Sequence, residues 1–160
     1  MRSVAVLSEL ELTILGLVRS RPQSGYELRK ALAASPGAVY PALKRLAAAA
    51  FLEARPDLST GRKKETFHAT AAGRRALQSA LQKLRLEEVR RDPQAVASRL
   101  QFLTGGAAGA FLAEYARLSA ICAAELKGKP GLLAGHNAEL YAARARWAAK
   151  AVKGVIRQSR

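Results

Sequence analysis

Apolar positions recur every three or four residues through most of the chain, and only one short stretch switches to alternation, so the pattern is dominantly helical. Residues 8–20 (SELELTILGLVRS) are apolar on most sides through Leu10, Leu12, Ile14, Leu15 and Leu17, with Ser8 and Glu11 spaced as a capping box. This predicts a central buried helix. Residues 24–34 open on a second box, Ser24 and Glu27, with Leu28 and Leu32 inward and Tyr26, Arg29 and Lys30 toward solvent. In residues 35–50 (SPGAVYPALKRLAAAA), Ser35 is a cap and Pro36 suits the first helical position. Val39, Leu43, Leu46 and Ala50 form an inward face there, while Gly37, Tyr40, Pro41 and Lys44 fall on another. Pro41 lacks an N–H, so the first turn should bend or tighten, and Gly37 admits a close backbone approach.

The alternating stretch is residues 51–55 (FLEAR) and 65–69 (ETFHA), a hairpin whose loop carries Arg62, Lys63 and Lys64 beside Gly61. Thr70 then caps a helix running to about residue 91, with Leu77, Leu81 and Leu84 in a narrow stripe. Asp92-Pro93 restarts the chain, and helices follow over residues 93–103, 107–127 and 132–158. Phe111, Tyr115, Leu118 and Cys122 share one stripe of the second, and Leu140, Tyr141, Trp147, Ala148, Ala151, Val152 and Val155 a broad face of the third. Neither helix can bury such a face alone. Phe111, Tyr115, Leu118, Cys122, Val152 and Val155 are therefore candidates for a homodimer interface. The expected fold is mainly α with a small β-hairpin wing: a winged helix-turn-helix over residues 1–77 and a helical dimerisation region over residues 78–160.

A capped helix followed at once by a basic hairpin is the arrangement with which winged helices hold DNA, the helix start in the major groove and the wing on phosphate or the neighbouring minor groove. The run SGYELRKAL, SPGAVYPALKRL, FLEAR, GRKKETFHAT and AAGRRAL resembles the PadR family of bacterial transcriptional regulators. The resemblance implies a DNA-contacting set of Tyr26, Ser35, Gly37, Tyr40, Lys44, Arg62, Lys63 and Lys64, to which Arg29 on the solvent side of its helix is added. It also implies dimerisation through C-terminal helices, and repression more often than activation.

Charge sharpens the picture without localising it. The formal net charge is +15, which asks for a polyanionic partner. Thirteen Lys and Arg stand against six Asp and Glu before Ala76, and fourteen against six from there on, so both halves are basic. One cysteine excludes an internal disulfide framework, and Cys122 reads as a small core residue. The first seven residues hold too short an apolar run for a signal peptide, and no later run spans a membrane, so a cytoplasmic, nucleoid-associated protein is expected. No phosphate loop, nucleophile set or carboxylate pair marks an enzyme, and no metal or cofactor is implied. By helical phase Arg144 lies inside the apolar face of the last helix, where an unpaired charge would be costly. It needs Glu114 or Glu125 of the neighbouring helix, or else a planar aromatic anion held with Tyr141 and Trp147 as an effector. The sequence thus reads as a dimeric, sequence-specific repressor on an inverted-repeat operator, relieved by a small molecule. A PadR-like activator and a non-specific architectural DNA binder are the alternatives.

Overall fold

The structure, a computed structural model, describes residues 7–57 and 64–158. The opening residues 1–6, part of the stretch judged too short for a signal peptide, lie outside the described residues. The chain divides into two compact units, Met1–Ala80 and Leu81–Arg160. Mainly α structure with one small antiparallel sheet is observed, as the periodicity requires.

In the first unit α1 (Glu9–Ser20) is the centre, and Leu12, Ile14, Leu15 and Val18 are all buried. Its capping box forms as the spacing predicts: the Glu11 N–H donates to Ser8 Oγ at 3.3 Å, and the Ser8 N–H to Glu11 Oε2 at 2.9 Å. The segment after α1 contains a two-residue strand, β1 (Gln23–Ser24), too short for any periodicity to reveal. Buried Gln23 is held by its side-chain amide, which donates to the Leu17 carbonyl at 3.3 Å. Ser24 caps α2 (Gly25–Ala31), with Glu27 closing the second box. Leu28 is fully buried, whereas Leu32, just past the helix, is only half-buried.

Helix α3 (Pro36–Ala48) buries Val39, Ala42, Leu43 and Leu46. It continues through Pro41 as a single helix. Ala50, expected on the inward face, instead lies beyond the helix end, exposed and left-handed at φ 57°, where the chain turns into the sheet. That conformation costs an alanine roughly 1 kcal/mol. Strands β2 (Leu52–Asp57) and β3 (Lys64–Ala69) make the hairpin, and β1 adds to the far edge of β3, giving the order β1-β3-β2. The register pairs Glu53 with His68 and Arg55 with Thr66 across β2 and β3, and Ser24 with Thr66 across β1 and β3.

The start of α4 (Ala71–Gln82) is stitched to the end of α3. The Thr70 N–H and hydroxyl donate to the Phe51 and Ala50 carbonyls at 3.1 and 2.7 Å, and Thr70 Oγ1 accepts the Gly73 N–H at 3.0 Å. Here Gly73 is obligatory for a steric reason, since a Cβ would sit 2.1 Å from the Phe51 carbonyl oxygen.

The second unit differs from expectation in its first helix. The helix expected from residue 70 to 91 is interrupted: α4 ends at Gln82, Arg85 is extended, and α5 (Leu86–Arg91) begins anew, with Glu88 accepting the Arg85 N–H at 3.0 Å. A carboxylate three residues past an extended residue is a helix start, and that local bond interrupts the leucine period. Helix α6 (Pro93–Ser98) passes into a 3-10 turn (Arg99–Phe102), and α7 (Gly105–Leu126) and α8 (Leu132–Gln158) follow. Buried Arg99 is paired with Glu88 at 2.9 Å.

The candidate dimer residues are placed elsewhere than expected. Phe111, Tyr115, Leu118 and Cys122 are buried in this unit's own core with Tyr141 and Ala148, and Val152 and Val155 pack against it. The reason is that α7 and α8 belong to one chain and cover each other's apolar faces, so Phe111, Tyr115, Leu118 and Cys122 are enclosed, while Val152 and Val155 stay half-buried. Phe111 and Tyr115 stack with ring centroids 6.3 Å apart, and the Tyr115 hydroxyl donates to the Pro93 carbonyl at 2.9 Å. Burial pushes the Cys122 thiol up, with Glu125 adding to it. Among the described residues no helix is long and apolar enough to cross a membrane.

The close approach at Gly73 generates a direct test. Gly73→Ala drives a methyl into backbone that cannot step aside, so a loss of about 2–3 kcal/mol is expected in urea unfolding. An unchanged midpoint would mean that the α3–α4 joint can open without cost.

Candidate nucleic-acid interface

What fixes the outward face of α3 is a bond on its other side. Arg45 Nε donates to Glu11 Oε1 at 2.7 Å, joining α3 to the capping carboxylate of α1. Burial would raise the Glu11 carboxyl, but the Ser8 N–H, the Arg45 guanidinium and the Ser8 hydroxyl together hold it below the ordinary carboxylate range. The adjacent bases Lys44 and Arg45 therefore divide: Arg45 ties the helix to the core, and Lys44 is exposed with no such tie.

Gly37, Tyr40 and Lys44 are exposed and share one side of α3 by helical phase, and Ser35, just before the helix, is exposed as well. Ser35 is the N-cap by position, yet its hydroxyl makes no cap bond. Its carbonyl instead accepts the Ala38 and Val39 N–H groups at 3.1 and 3.2 Å. Gly37 is open, the nearest atom to an added Cβ being Ser35 Oγ at 3.9 Å. The Tyr40 ring lies against the start of α2, where a Cβ on Gly25 would come within 2.8 Å of its Cε1. Gly25 thus leaves the room in which Tyr40 rests, with 45% of that residue exposed. On α2, Tyr26 is more exposed still, and the Arg29 guanidinium carbon stands 5.3 Å from its ring centroid, a cation–π pair.

The wing candidates Arg62 and Lys63 lie outside the described residues, and Lys64 begins β3. The two strands that lead to them carry a polar face that sequence reasoning did not single out. Glu53 and Arg55 form an ion pair on β2, and opposite them Thr66 Oγ1 lies 3.1 Å from His68 Nε2. Alternation in LEARPD against KETFHA was the available signal. Gly25 and Arg45 were also missed, because their importance arises from which helix each one meets.

The aromatic-anion set does not assemble as expected. Arg144 lies over the Tyr141 ring, 5.6 Å from its centroid. Tyr141 is buried, and its hydroxyl lies 3.2 and 3.0 Å from the Val89 and Arg90 carbonyls, both of which can share its proton. Burial pushes its phenol up. Trp147, however, is 52% exposed and turned away from that core position. The carboxylates offered to Arg144 are held by others: Glu114 by Arg117 at 2.7 Å, and Glu125 by Arg90 at 3.1 Å. An i,i+3 arginine reaches Glu114 on its own helix before Arg144 can, and Glu125 faces α5. Among the described residues no three of His, Cys, Asp and Glu are grouped as metal ligands.

Residues 14–79 match the model of the Transcriptional regulator PadR-like family. Solved structures give overlays of low score along with modest identity. TA0346 of Thermoplasma acidophilum, a candidate transcriptional regulator, is 28% identical over 56% of this chain and 90% of its own, with a TM-score of 0.45. The protein smu.1704 of Streptococcus mutans UA159 is 26% identical, covering 62% of this chain and 96% of its own, with a TM-score of 0.46. Bacillus subtilis PadR in complex with operator DNA is 17% identical over 97% of this chain and 99% of its own, with a TM-score of 0.43. No curated protein matches the sequence. PadR-like proteins are transcription regulators, and the family is not enzymatic.

The geometry can be tested at the bond, at the glycine and at the wing. The folded Glu11 carboxyl is depressed, so its contribution to stability is present above the ordinary carboxylate range and is lost as pH falls through the folded value. Glu11→Gln should therefore lower stability by about 1 kcal/mol at neutral pH, a modest figure because Arg45 is largely exposed, and should flatten the acid limb of the melting profile. Parallel acid limbs in parent and variant would refute this. Gly25→Ala displaces the Tyr40 ring without altering any candidate DNA-binding residue, and should weaken DNA binding while the melting temperature changes little. Replacing Arg62, Lys63 and Lys64 with Ala should instead lower the slope of log affinity against log salt by ~0.9 for each phosphate no longer neutralised. A wing variant with the parental slope would remove the wing from the interface.

Proposed function

We propose that this chain, which over residues 14–79 carries the winged-helix, DNA-binding domain of PadR-like transcriptional regulators, is a dimeric repressor that binds an inverted-repeat operator. The observation that carries the reading is the outward surface of α3, with Ser35, Gly37, Tyr40 and Lys44 exposed while Arg45 holds the helix to α1. Exposed small and polar groups at the start of a helix that is fixed in rotation can meet base edges, and Tyr26 and Arg29 on the preceding helix are suited to phosphate. Repression is the consequence of occupying a promoter-proximal site, and the bacterial cytoplasm is where such a site is found.

The dimer in this reading uses a different surface from the one sequence phase suggested. Leu133, Leu140 and Trp147 are exposed, and their spacing of seven places them in one line along α8. A line of large apolar residues at heptad spacing supplies one of the two apolar positions per heptad along which helices pair. Two copies joined there would present two α3 helices, which is why a symmetric operator is expected. An aromatic anion that relieves repression would meet Arg144 over the Tyr141 ring.

Three measurements on the full-length protein test this. Genome-wide mapping of bound DNA should yield a palindromic site, and uniform coverage would favour the architectural alternative. Sedimentation should give a dimer at micromolar concentration that Leu140→Glu dissociates. A monomeric parent would defeat the dimer. Aromatic carboxylates should weaken the operator complex of the parent and not of Arg144→Met. No weakening in the parent would remove the effector from the reading.

A further inference from the structure

The second unit is as basic as the first, and the structure shows where its excess charge is left. Of its six acids, five are engaged on α5 to α7. Glu87 and Glu125 both meet Arg90, Glu88 meets Arg99, Glu114 meets Arg117, and Asp92 accepts the Ala95 N–H at 2.9 Å to cap α6. The sixth, Glu139, lies exposed on α8. Helix α8 holds Arg144, Arg146, Lys150, Lys153 and Arg157 against that single carboxylate. Among the described residues, none of Arg144, Arg146, Lys150 and Lys153 is paired with an acid, and the last three are exposed.

Arg146, Lys150 and Lys153 are spaced four and three apart, so they form one row on the helix, a register that Arg157 continues by sequence. Like charges at this spacing repel and cost an isolated helix a few tenths of a kcal/mol per pair. Glu139 stands in the same register two turns before Arg146, and no acid stands three or four residues from Arg146, Lys150 or Lys153, so none is placed to relieve the row. At ~1.5 Å rise per residue, successive bases advance about 4.5–6 Å along α8. At about 100° per residue the row lies roughly 110° around α8 from the Leu133, Leu140 and Trp147 line, so pairing through that line leaves the row open.

We propose that the Arg146, Lys150 and Lys153 row on α8 is a second nucleic-acid contact, a phosphate-binding surface that adds sequence-independent affinity to the specific contact made by α3 and the wing. It rests on the DNA-binding reading above and extends it to the other unit. Phosphates are its ligand, and charge complementarity is the basis of the assignment. Placed against phosphate, these cations carry no sequence information, so the row contributes to every duplex equally.

The experiment uses the full chain with Arg146, Lys150 and Lys153 all replaced by Ala, and a second variant with all three replaced by Glu. Because the three side chains are exposed, both should melt like the parent and remain dimeric. On a long random-sequence duplex the alanine variant should bind ~10-fold or more weakly near physiological salt, and its salt slope should fall by up to about 2.7, which is ~0.9 for each phosphate left unneutralised. The glutamate variant should be weaker still. The preference for the mapped operator over random DNA should be unchanged in both. Parental affinity and slope in both variants would overturn the proposal while leaving the α3 reading intact, which the wing variant tests separately. A parent that binds no duplex would overturn both. Loss of binding to phosphatidylserine vesicles with an unaltered DNA slope would assign the row to a membrane surface and also overturn it.

Discussion

The bond from Arg45 to Glu11 is the constraint on which the DNA-facing surface depends. Val39, Leu43 and Leu46 set how closely α3 approaches α1, but a stripe of aliphatic side chains tolerates small rotations, since apolar attraction has no direction. A charge-assisted hydrogen bond has direction, and here it fixes which side of α3 is outward. The same carboxylate closes the cap of α1 through the Ser8 N–H. One side chain thus sets both the start of the central helix and the rotation of the exposed one. Its energetic contribution is modest because Arg45 is open to water, so orientation is the larger effect.

Around that bond, the first unit depends on two places where a glycine lets something large come close. At Gly25 the guest is a side chain, the Tyr40 ring, and at Gly73 it is backbone, the Phe51 carbonyl. The difference in consequence follows. A tyrosine that is nearly half exposed can swing away from an added methyl, at the expense of where its hydroxyl points. A carbonyl that already accepts the Thr70 N–H cannot move without breaking the joint between the wing and α4. Gly25 therefore bears on the interface and Gly73 on the fold.

Local signals were the legible ones. The boxes at Ser8 and Ser24 form because each needs only four consecutive residues, whereas Ser35, alike in sequence, leaves its hydroxyl unused and lacks a carboxylate three residues on. The strand at Gln23 was beyond reach, as two residues have no period. In the second unit the apolar stripes of α7 and α8 were correctly read as needing cover, but a stripe does not say whether its partner is the next helix or another chain. Trp147 is a different case. Six residues beyond Tyr141, it lies about 120° away around the helix, so phase alone separated it from the buried face that Tyr141 and Ala148 occupy. Arg144 was rightly placed beside Tyr141, and its expected partners were taken by arginines nearer in sequence or on α5.

The acids explain why both halves look equally basic in composition and yet differ in structure. Carboxylates in this chain serve largely as architecture: Glu11, Glu27, Glu88 and Asp92 all accept backbone N–H groups at helix starts, where the free donors and the dipole favour them. Such a carboxylate is fixed in position by the helix it begins. Glu11 and Glu88 additionally hold Arg45 and Arg99. A helix that starts without a carboxylate draws none of this compensation, and both α3 and α8 lack any acid in the first turn. On those two helices Lys44 and the row Arg146, Lys150 and Lys153 stand exposed with no paired acid. The surplus of the whole chain is thereby sorted onto particular surfaces by the same bonds that build the fold.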